Sequence, residues 1–269
     1  MPSYLVTGVS RGLGFGFIQV LSSNPDNTII GLARNKAATE KKLAEELGSP
    51  HNVYILEADI TDYHALKGTV SSVSEIAGGS LDYVIANAGL IALWSQWDAV
   101  DVLDPEHLVK DLQDSFNVNV IGNFHLFNLF TPLVLKGQAK KVIAISSGMS
   151  DIDFICQFEI EPAPAYAISK AGTNVLTAKF AARYAKEGVL FMSICPGSVD
   201  SGFEGELTEE QKEKVAKLGS KFVNYAPHFT GPNIPVDSAK AVLKVMNECS
   251  LEKGSSGALV SKFGNKQWM

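Results

Sequence analysis

The chain has 269 residues and a mass of 28.9 kDa, which suits one α/β domain with a continuous buried core. Its net charge of −6 at pH 7 argues against a nucleic acid or an anionic membrane as partner, because both bind basic surfaces. No apolar run approaches the ~18 residues that a membrane span requires, so we expect a small-molecule partner.

Short apolar and β-branched runs alternate with longer helical patterns along the chain. Predicted strands cover residues 4–6, 28–32, 52–56, 83–86, 141–145, 190–194 and 258–260, and predicted helices cover 14–22, 36–47, 64–76, 105–136, 166–187 and 237–248. Most of these strands lack polar alternation, which is typical of a parallel sheet covered by helices on both faces. The order predicts one Rossmann-type α/β domain over residues 1–269, with a doubly wound parallel sheet of about seven strands.

A glycine-rich turn joins the first predicted strand to the first helix. The segment from Thr7 to Gly14 reads TGVSRGLG. Glycines permit a tight turn and let backbone N–H groups approach a pyrophosphate, which the positive end of the following helix stabilises. Its position in the first βαβ unit predicts a dinucleotide site. The predicted contacts are Gly8, Ser10, Arg11, Gly12, Leu13 and Gly14.

The end of the second predicted strand indicates which dinucleotide is bound. In an NAD site a carboxylate at this point binds the ribose 2′-hydroxyl, whereas here Arg34 follows the strand. Arg34, with Arg11, is suited to a 2′-phosphate, which favours NADP; the alternative is that Arg34 is only a solvated surface residue. After the third strand, Asp59 and Ile60 are expected at the adenine, while Asp62 is a candidate N-cap for the next helix.

Tyr166 and Lys170 form the strongest chemical signal in the sequence. At this spacing, near the start of a predicted helix, the two side chains share one helical face. A tyrosine with a pKa of about 10 is a poor acid–base catalyst at neutral pH, and a neighbouring cation lowers that pKa by stabilising the phenolate. The preceding strand ends in Ser146 and Ser147 at the ligand edge of the sheet, where Ser147 is suited to hydrogen-bond a carbonyl oxygen. For the Tyr–Lys pair taken alone, the alternative is an ordinary amphipathic face.

Two asparagine positions complete this group. Asn87, Ala88 and Gly89 close the fourth predicted strand, and Asn119 lies inside the longest predicted helix. Because asparagine is not favoured inside helices, Asn119 calls for a partner, for which a water leading to Lys170 is a candidate.

Residues 202–235 fall outside the alternation of strands and helices. Their Glu- and Lys-rich middle, residues 207–219, predicts an exposed helix in a substrate lid or in a solvated surface excursion. Trp94 and Trp97 follow the fourth strand and are candidates for the mouth of the substrate site or for packing at its rim. The predicted substrate-lining residues are Trp94, Phe154, Phe158 and Phe203.

With these motifs the chain resembles the classical short-chain dehydrogenase/reductase family along nearly its whole length. The family's TGxxxGxG motif matches Thr7 to Gly14, its NAG motif matches residues 87–89, and its PG motif matches Pro196 and Gly197. The matches to its Asn-Ser-Tyr-Lys tetrad are Asn119, Ser147, Tyr166 and Lys170.

The resemblance implies a role for each member of the tetrad. Tyr166 would exchange the proton, and Lys170 would bind the nicotinamide ribose while lowering the Tyr166 pKa. Ser147 would polarise the carbonyl, and Asn119 would hold a proton-relay water. The implied cofactor contacts beyond the glycine turn are Asn87, Ala88, Gly89, Tyr166, Lys170, Pro196, Gly197, Val199 and Ser201, with the backbone near Ser198 and Val199 meeting the carboxamide.

Within the family, the glycine turn and the Ile-Ser-Ser-Gly segment are most similar to fungal norsolorinic-acid-ketoreductase-like and sniffer-like carbonyl reductases. The spacing of nineteen residues from Ser147 to Tyr166 is longer than is usual in the family. Ser146 and Ser147 therefore both stay candidates for the working hydroxyl. Ser201 replaces the threonine that often follows the PG motif.

These features predict an NADPH-dependent reductase of a ketone or aldehyde, on an apolar or aromatic metabolite, with Tyr166 as general acid. The alternatives are an NADP-dependent alcohol dehydrogenase, an imine or enone reductase, and an NADP-sensing regulator without turnover. The histidines do not have the spacing of metal ligands, so we expect no metal site. The resemblance implies a homodimer or homotetramer through the helices of Asn119 and Tyr166. Cys156, Cys195 and Cys249 lie far apart, which with the lack of a leader pattern predicts free thiols and a cytoplasmic location.

Overall fold

A computed structural model describes residues 1–200, 202 and 206–269, and these residues form a single parallel sheet of seven strands with helices on both faces. The strands are β1 (Ser3–Thr7), β2 (Thr28–Ala33), β3 (Val53–Glu57), β4 (Tyr83–Ala86), β5 (Lys141–Ile145), β6 (Leu190–Cys195) and β7 (Leu259–Ser261). Their order across the sheet is β3-β2-β1-β4-β5-β6-β7, and every neighbouring pair is parallel. The predicted Rossmann-type sheet is confirmed.

The helices follow the predicted alternation with changes at several boundaries. In chain order they are α1 (Gly12–Ser22), α2 (Lys36–Leu47), α3 (Tyr63–Gly68), α4 (Val70–Ile76), α5 (Pro105–Phe116), α6 (Asn123–Val134), α7 (Ile152–Phe158), α8 (Pro164–Tyr184), α9 (Glu209–Tyr225) and α10 (Pro235–Glu248). Short 3₁₀ turns cover Gly148–Ser150 and Ala185–Glu187. Across the described ranges, no helix combines the length and the apolar character that crossing a membrane requires.

The sheet separates two apolar layers, because successive side chains of a strand point to opposite faces. Leu5 and Val6 are both fully buried and belong to different layers. Val6 lies in the layer that contains Phe15 of α1, whereas Leu5 lies in the layer that contains Phe127 of α6. Burial on both sides explains why the strands read as continuous apolar runs.

The helix predicted over residues 105–136 is interrupted. A π-helical turn at Asn117–Gly122 separates α5 from α6. π turns are frequent at functional sites, and here the buried side chain of Asn119 points away from the helix to bond the loop after β4. A separate break at Thr69 divides the predicted 64–76 helix into α3 and α4.

A third apolar cluster lies outside the two layers and fills the space between α7, α9 and the last residues of the chain. We call its aromatic members, Trp97, Phe154, Phe158, Phe222, Tyr225, Phe229 and Trp268, the aromatic cluster. The helix predicted over residues 207–219 occurs as α9, which is longer because its apolar positions Leu218 and Phe222 continue into this cluster. A capping box between Thr208 and Gln211 sets its start.

Candidate active site

The glycine turn lies at the point where the sheet order reverses, with β1 between β2 and β4. A Cβ on Gly14 would lie 2.1 Å from the Gly8 carbonyl oxygen and 2.6 Å from Asn87 Nδ2, so only glycine fits there. Gly8 itself has φ +71, a conformation that favours glycine. The turn after β1 is thus pressed against the turn after β4, at the usual ligand position of an open α/β sheet.

Hydrogen bonds join these two turns directly. The Thr7 hydroxyl accepts from the backbone N–H groups of Asn87 and Ala88 at 3.0 and 2.9 Å, and Asn87 Nδ2 donates to the Thr7 carbonyl at 2.9 Å. The start of α1 has no side-chain cap from Arg11 and no acidic residue in its first turn. Its free N–H groups and positive end suit a pyrophosphate, so the residues present fit a dinucleotide.

The residues predicted for the adenosine end lie together at the carboxyl ends of β2 and β3. Arg34 is exposed directly after β2. Glu57, which the sequence reasoning did not single out, ends β3 and accepts a hydrogen bond from the Lys36 backbone N–H at 3.0 Å. Asp59 accepts from the backbone and hydroxyl of Thr61. The acidic Glu57 could have been found by noting that parallel β2 and β3 end at the same edge.

Asp62 and Ile60 have structural contacts of their own. The Asp62 carboxylate accepts from the first turn of α3, so it is the N-cap that the sequence suggested. Ile60 is 5% exposed and its side chain packs against Gly122 of the π turn.

The two adjacent serines after β5 have different surroundings. Ser146 is buried, and its hydroxyl donates to Asn174 Oδ1 at 2.6 Å. Ser147 is partly exposed, and its Oγ accepts from the Met149 backbone N–H at 3.1 Å, which leaves its hydroxyl proton available.

Tyr166 and Lys170 lie one turn apart in the first part of α8, as their spacing predicts. The Lys170 ammonium is 5.7 Å from the centroid of the Tyr166 ring. Lys170 is only 3% exposed, and Nζ donates to the Ile145 carbonyl at the end of β5 at 2.8 Å. The lysine therefore joins α8 to the strand that leads into Ser147.

Burial controls the ionisation of both groups. Burial raises the pKa of Tyr166 to about 12, nearby Cys195 adds to this, and hydrogen bonding to Ser147 acts in the opposite direction. Burial also lowers the pKa of Lys170 to about 8. Withdrawal from water disfavours both the phenolate and the ammonium, so the net shift of the Tyr166 pKa is upward. That Lys170 lowers the Tyr166 pKa stays a prediction.

Asn119 is fully buried in the π turn, and protein groups bind its side chain. Nδ2 donates to the Leu90 carbonyl at 2.9 Å and to the Ser169 hydroxyl at 2.8 Å, and Oδ1 accepts from the Leu90 N–H at 2.8 Å. Oδ1 keeps a second acceptor site, so a relay water at Asn119 stays a prediction. A side chain on Gly89 would enter between Asn119 Oδ1 and Lys170 Nζ, which lie 3.1 and 3.2 Å from its Cβ position. Asn119 and Lys170 are thus brought to the same point after β4.

The turn after β6 completes the site. Pro196 is buried, and Val199 pairs with Asn233 ahead of α10. Cys195 ends β6, and its Sγ accepts from the Gly148 N–H at 3.1 Å, which connects this turn to the segment after Ser147. The remaining predicted contacts, Ser201 and Phe203, lie outside the described residues.

The predicted substrate-lining residues separate into two groups. Trp94 is 42% exposed and packs edge-on against His107 at 5.8 Å, so it lies on the surface. Phe154 and Phe158 both belong to the aromatic cluster and contact Tyr225, with centroid distances of 4.6 and 4.8 Å. Trp97 lies in this cluster.

Trp268 was missed by the sequence reasoning. It is 2% exposed and lies over Gly148, where a Cβ would come within 2.5 Å of Trp268 Cγ. A large aromatic residue near the end of a chain was the available signal, but its contact with the residue after Ser147 is set by tertiary structure.

Comparisons with known proteins agree with this geometry. The sequence profile described as short chain dehydrogenase matches residues 3–212. The short chain dehydrogenase virK of Hypocrea virens is 52% identical over 271 residues, covering 100% of both chains. The short-chain dehydrogenase/reductase iacC of Pestalotiopsis fici is 43% identical over 275 residues, with 100% of each chain covered.

Solved structures share the fold. The NADPH-bound carbonyl reductase from chicken fatty liver matches with a TM-score of 0.77 at 25% identity, over 98% of each chain. The carbonyl reductase Sniffer of D. melanogaster also matches with a TM-score of 0.77 over 98% of each chain, at 20% identity. The second likeness extends to the fold alone.

Proposed function

The chain belongs to the short-chain dehydrogenase family, and we propose that it is an NADPH-dependent reductase of ketones and aldehydes. The observation that carries the proposal is the convergence of Ser147, Tyr166 and Lys170 at the carboxyl edge of the sheet, beside the glycine turn. Two hydroxyl groups next to a buried cation are suited to a carbonyl oxygen that gains negative charge during reduction.

The chain's own residues supply the proton and the orientation. A bound nicotinamide cofactor supplies or accepts the hydride. The Ser147 hydroxyl donates a hydrogen bond to the carbonyl oxygen, and Tyr166 transfers its phenolic proton to the same oxygen. Lys170, held by the Ile145 carbonyl, binds the nicotinamide ribose and keeps positive charge near the developing oxyanion.

The protonation state of Tyr166 suits the proton demand of a carbonyl reduction. With a pKa raised to about 12, Tyr166 keeps its proton at neutral pH and so holds what a carbonyl reduction consumes. Oxidation of an alcohol requires the phenolate at the start, which this environment disfavours. The raised Tyr166 pKa therefore assists the reductive direction at neutral pH, whereas the reverse oxidation of an alcohol would be assisted at higher pH.

Arg34 supports NADPH as the reductant. It is exposed at the end of β2, within the region where the ribose 2′-position is expected, and a guanidinium pairs well with a phosphate. The chicken carbonyl reductase, at 25% identity, is described as bound to NADPH. Glu57 favours the alternative, NADH, because a carboxylate at this edge can accept from a ribose hydroxyl.

The aromatic cluster supports an apolar or aromatic substrate. Its aromatic residues share the third apolar cluster with Cys195, which precedes the PG turn. One of them, Trp268, lies over Gly148 beside Ser147. A substrate whose carbonyl reaches the hydroxyls of Ser147 and Tyr166 would lie near Trp268, where aromatic side chains would stabilise an aromatic ring by burial and edge contacts.

A panel of aldehydes, ketones, imines and enones tests the proposal by following NADPH oxidation. We expect turnover of aromatic ketones and a loss of at least about a hundredfold in kcat for Tyr166→Phe, with NADPH binding retained by fluorescence titration. Turnover by Tyr166→Phe at the wild-type rate would refute the role of Tyr166. NADPH binding without turnover of any compound would instead favour the sensing regulator.

We also propose that two copies associate through α5 and α8. Phe116, Ile168 and Val175 are 45, 56 and 61% exposed on these neighbouring helices, which is a large apolar surface for one face. Light scattering should show a dimer or tetramer that the double variant Ile168→Lys, Val175→Lys converts to a monomer. The free thiols of Cys156, Cys195 and Cys249 support a reducing compartment such as the cytosol.

A further inference from the structure

The indole N–H of Trp97 is buried and unpaired. Of the buried side-chain polar atoms that lack a partner within the described part of the chain, Trp97 Nε1 is the only nitrogen donor. A buried donor without an acceptor costs about 1–3 kcal/mol, so native proteins retain few of them. The Trp97 residue as a whole is partly exposed, whereas its Nε1 atom is buried.

Trp97 lies where the loop after β4 meets α9. Its neighbour Asp98 forms an ion pair with Lys214 of α9 at 2.5 Å. The Trp97 ring packs against the third apolar cluster, to which Leu218 and Phe222 of α9 also belong. The same cluster contains Cys195, which acts on Tyr166, and Trp268, which lies over Gly148. The cluster against which Trp97 packs therefore extends to residues beside Ser147 and Tyr166.

We propose that Trp97 Nε1 donates a hydrogen bond to a second oxygen of the substrate, separate from the carbonyl oxygen that is reduced. An indole N–H only donates, and it carries no charge, so it selects a neutral acceptor such as an ether, hydroxyl or second carbonyl oxygen. The substrate class is then an oxygenated aromatic ketone. This inference rests on the proposed ketone reductase function and adds a specificity determinant to it.

Pairs of substituted tetralones test the inference. At each ring position, a methoxy derivative of α-tetralone is compared with the ethyl derivative, which has a similar shape and lacks the acceptor oxygen. For at least one ring position, we expect wild-type enzyme to favour the methoxy compound by about tenfold in kcat/KM. In Trp97→Phe, which keeps an aromatic ring without the N–H, that ratio should fall to about one while the ethyl compound keeps most of its rate.

Trp94→Phe is the matched control, because Trp94 is in the same loop but lies on the surface beside His107. It should leave the methoxy-to-ethyl ratio unchanged. A wild-type enzyme without preference at any position, or a Trp97→Phe enzyme that keeps the ratio or loses both substrates equally, would overturn the inference. If wild-type enzyme reduces no tetralone and no other carbonyl compound, the proposed function itself has failed. The wild-type preference is measured independently of whether the variant folds.

Discussion

The Ser146 hydroxyl donates to Asn174 Oδ1 at 2.6 Å, and this bond distinguishes the two adjacent serines at the end of β5. Asn174 in turn donates to the Ser150 hydroxyl at 2.8 Å, so Ser146 belongs to a chain of polar groups that joins β5 to α8. Ser147, one residue later, has the opposite strand orientation and points toward Tyr166. The geometry therefore favours Ser147 as the hydroxyl that binds the carbonyl.

The first prediction compares alanine variants of these two serines. Ser147→Ala removes a donor to the developing oxyanion and should lower kcat/KM by about a hundredfold or more. Ser146→Ala breaks a buried hydrogen bond and should lower the free energy of unfolding by about 1 kcal/mol, with kcat/KM within about threefold of wild type. Steady-state kinetics and urea unfolding measure the two effects. If Ser146→Ala lost activity and Ser147→Ala kept it, Ser146 would be the working hydroxyl.

The second prediction concerns the pH dependence of reduction. The pKa of Lys170 is lowered to about 8 and that of Tyr166 is raised to about 12, both mainly by burial. Reduction requires the protonated form of each group, so activity is present below these pKa values and is lost as the pH rises through the lower one. We expect kcat/KM at saturating NADPH to fall above about pH 8.

Two lysine variants identify the group responsible for that fall. Lys170→Met should lower kcat/KM and remove the decline near pH 8. Lys262, whose pKa is also lowered by burial, lies near Cys195 and provides the comparison. Lys262→Met should keep the decline. A profile that is flat to pH 10 in wild type, or a decline that disappears only in Lys262→Met, would contradict the assignment to Lys170.

A third prediction tests the preference for NADPH at the carboxyl ends of β2 and β3. Arg34→Ala should reduce kcat/KM for NADPH by about tenfold or more and leave that for NADH nearly unchanged, because only NADPH carries the 2′-phosphate. Glu57→Gln removes a negative charge near the expected 2′-phosphate and should raise kcat/KM for NADPH by about two- to fivefold.

Lys41→Ala is a suitable control for these charge changes. Lys41 is exposed on α2, and its one ion pair in the part of the chain that the structure describes is with Glu45 in the same helix. Lys41→Ala should change kcat/KM for neither NADPH nor NADH. If Arg34→Ala keeps the wild-type ratio of kcat/KM for NADPH to that for NADH, the role given to Arg34 is refuted. If kcat/KM in Arg34→Ala rises for NADH alone, that rise would indicate that Glu57 binds a ribose hydroxyl.

The parts of the site that were predictable from sequence are those set by local pattern. The burial of β1 and β5 on both faces appears as continuous apolar sequence, and the helical period alone places Tyr166 and Lys170 on one face. The glycine turn is equally local in sequence, although its tight contact with Asn87 appears only in the structure.

What was not predictable depends on contacts between distant segments. Asn119 was expected to need a partner, but its bonds to Leu90 and Ser169 follow from a π turn that no periodicity indicates. The raised pKa of Tyr166 reflects burial, which residue spacing does not report. The placement of Trp268 over Gly148 requires the end of the chain to return to β5.

The last prediction concerns α9 as a lid. Lys214 and Lys221 lie about two turns apart on this helix and pair with two different segments of the chain. Lys214 pairs with Asp98 in the loop after β4, and Lys221 pairs with Glu161 ahead of α8, at 2.5 and 3.3 Å. Ion pairs thus join α9 to the loop after β4 and to the segment ahead of α8. Each surface ion pair is worth at most about 1 kcal/mol and weakens with salt.

Weakening one of these ion pairs should loosen the lid without disturbing the chemistry at Tyr166. We expect Lys214→Met to raise KM for an aromatic ketone about two- to fivefold, and to reduce, without abolishing, the rise in KM that wild-type enzyme shows between low and about 0.5 M salt, because the Lys221–Glu161 pair keeps its own salt dependence. Lys212→Met is the control, because within the described residues Lys212 pairs with Glu209 inside α9 and with no other carboxylate. If the Lys214–Asp98 pair helps to hold α9 over the substrate, removing the Lys214 ammonium must reduce the salt dependence of KM. Equal salt dependence of KM in wild type and Lys214→Met would therefore show that this pair does not hold the lid.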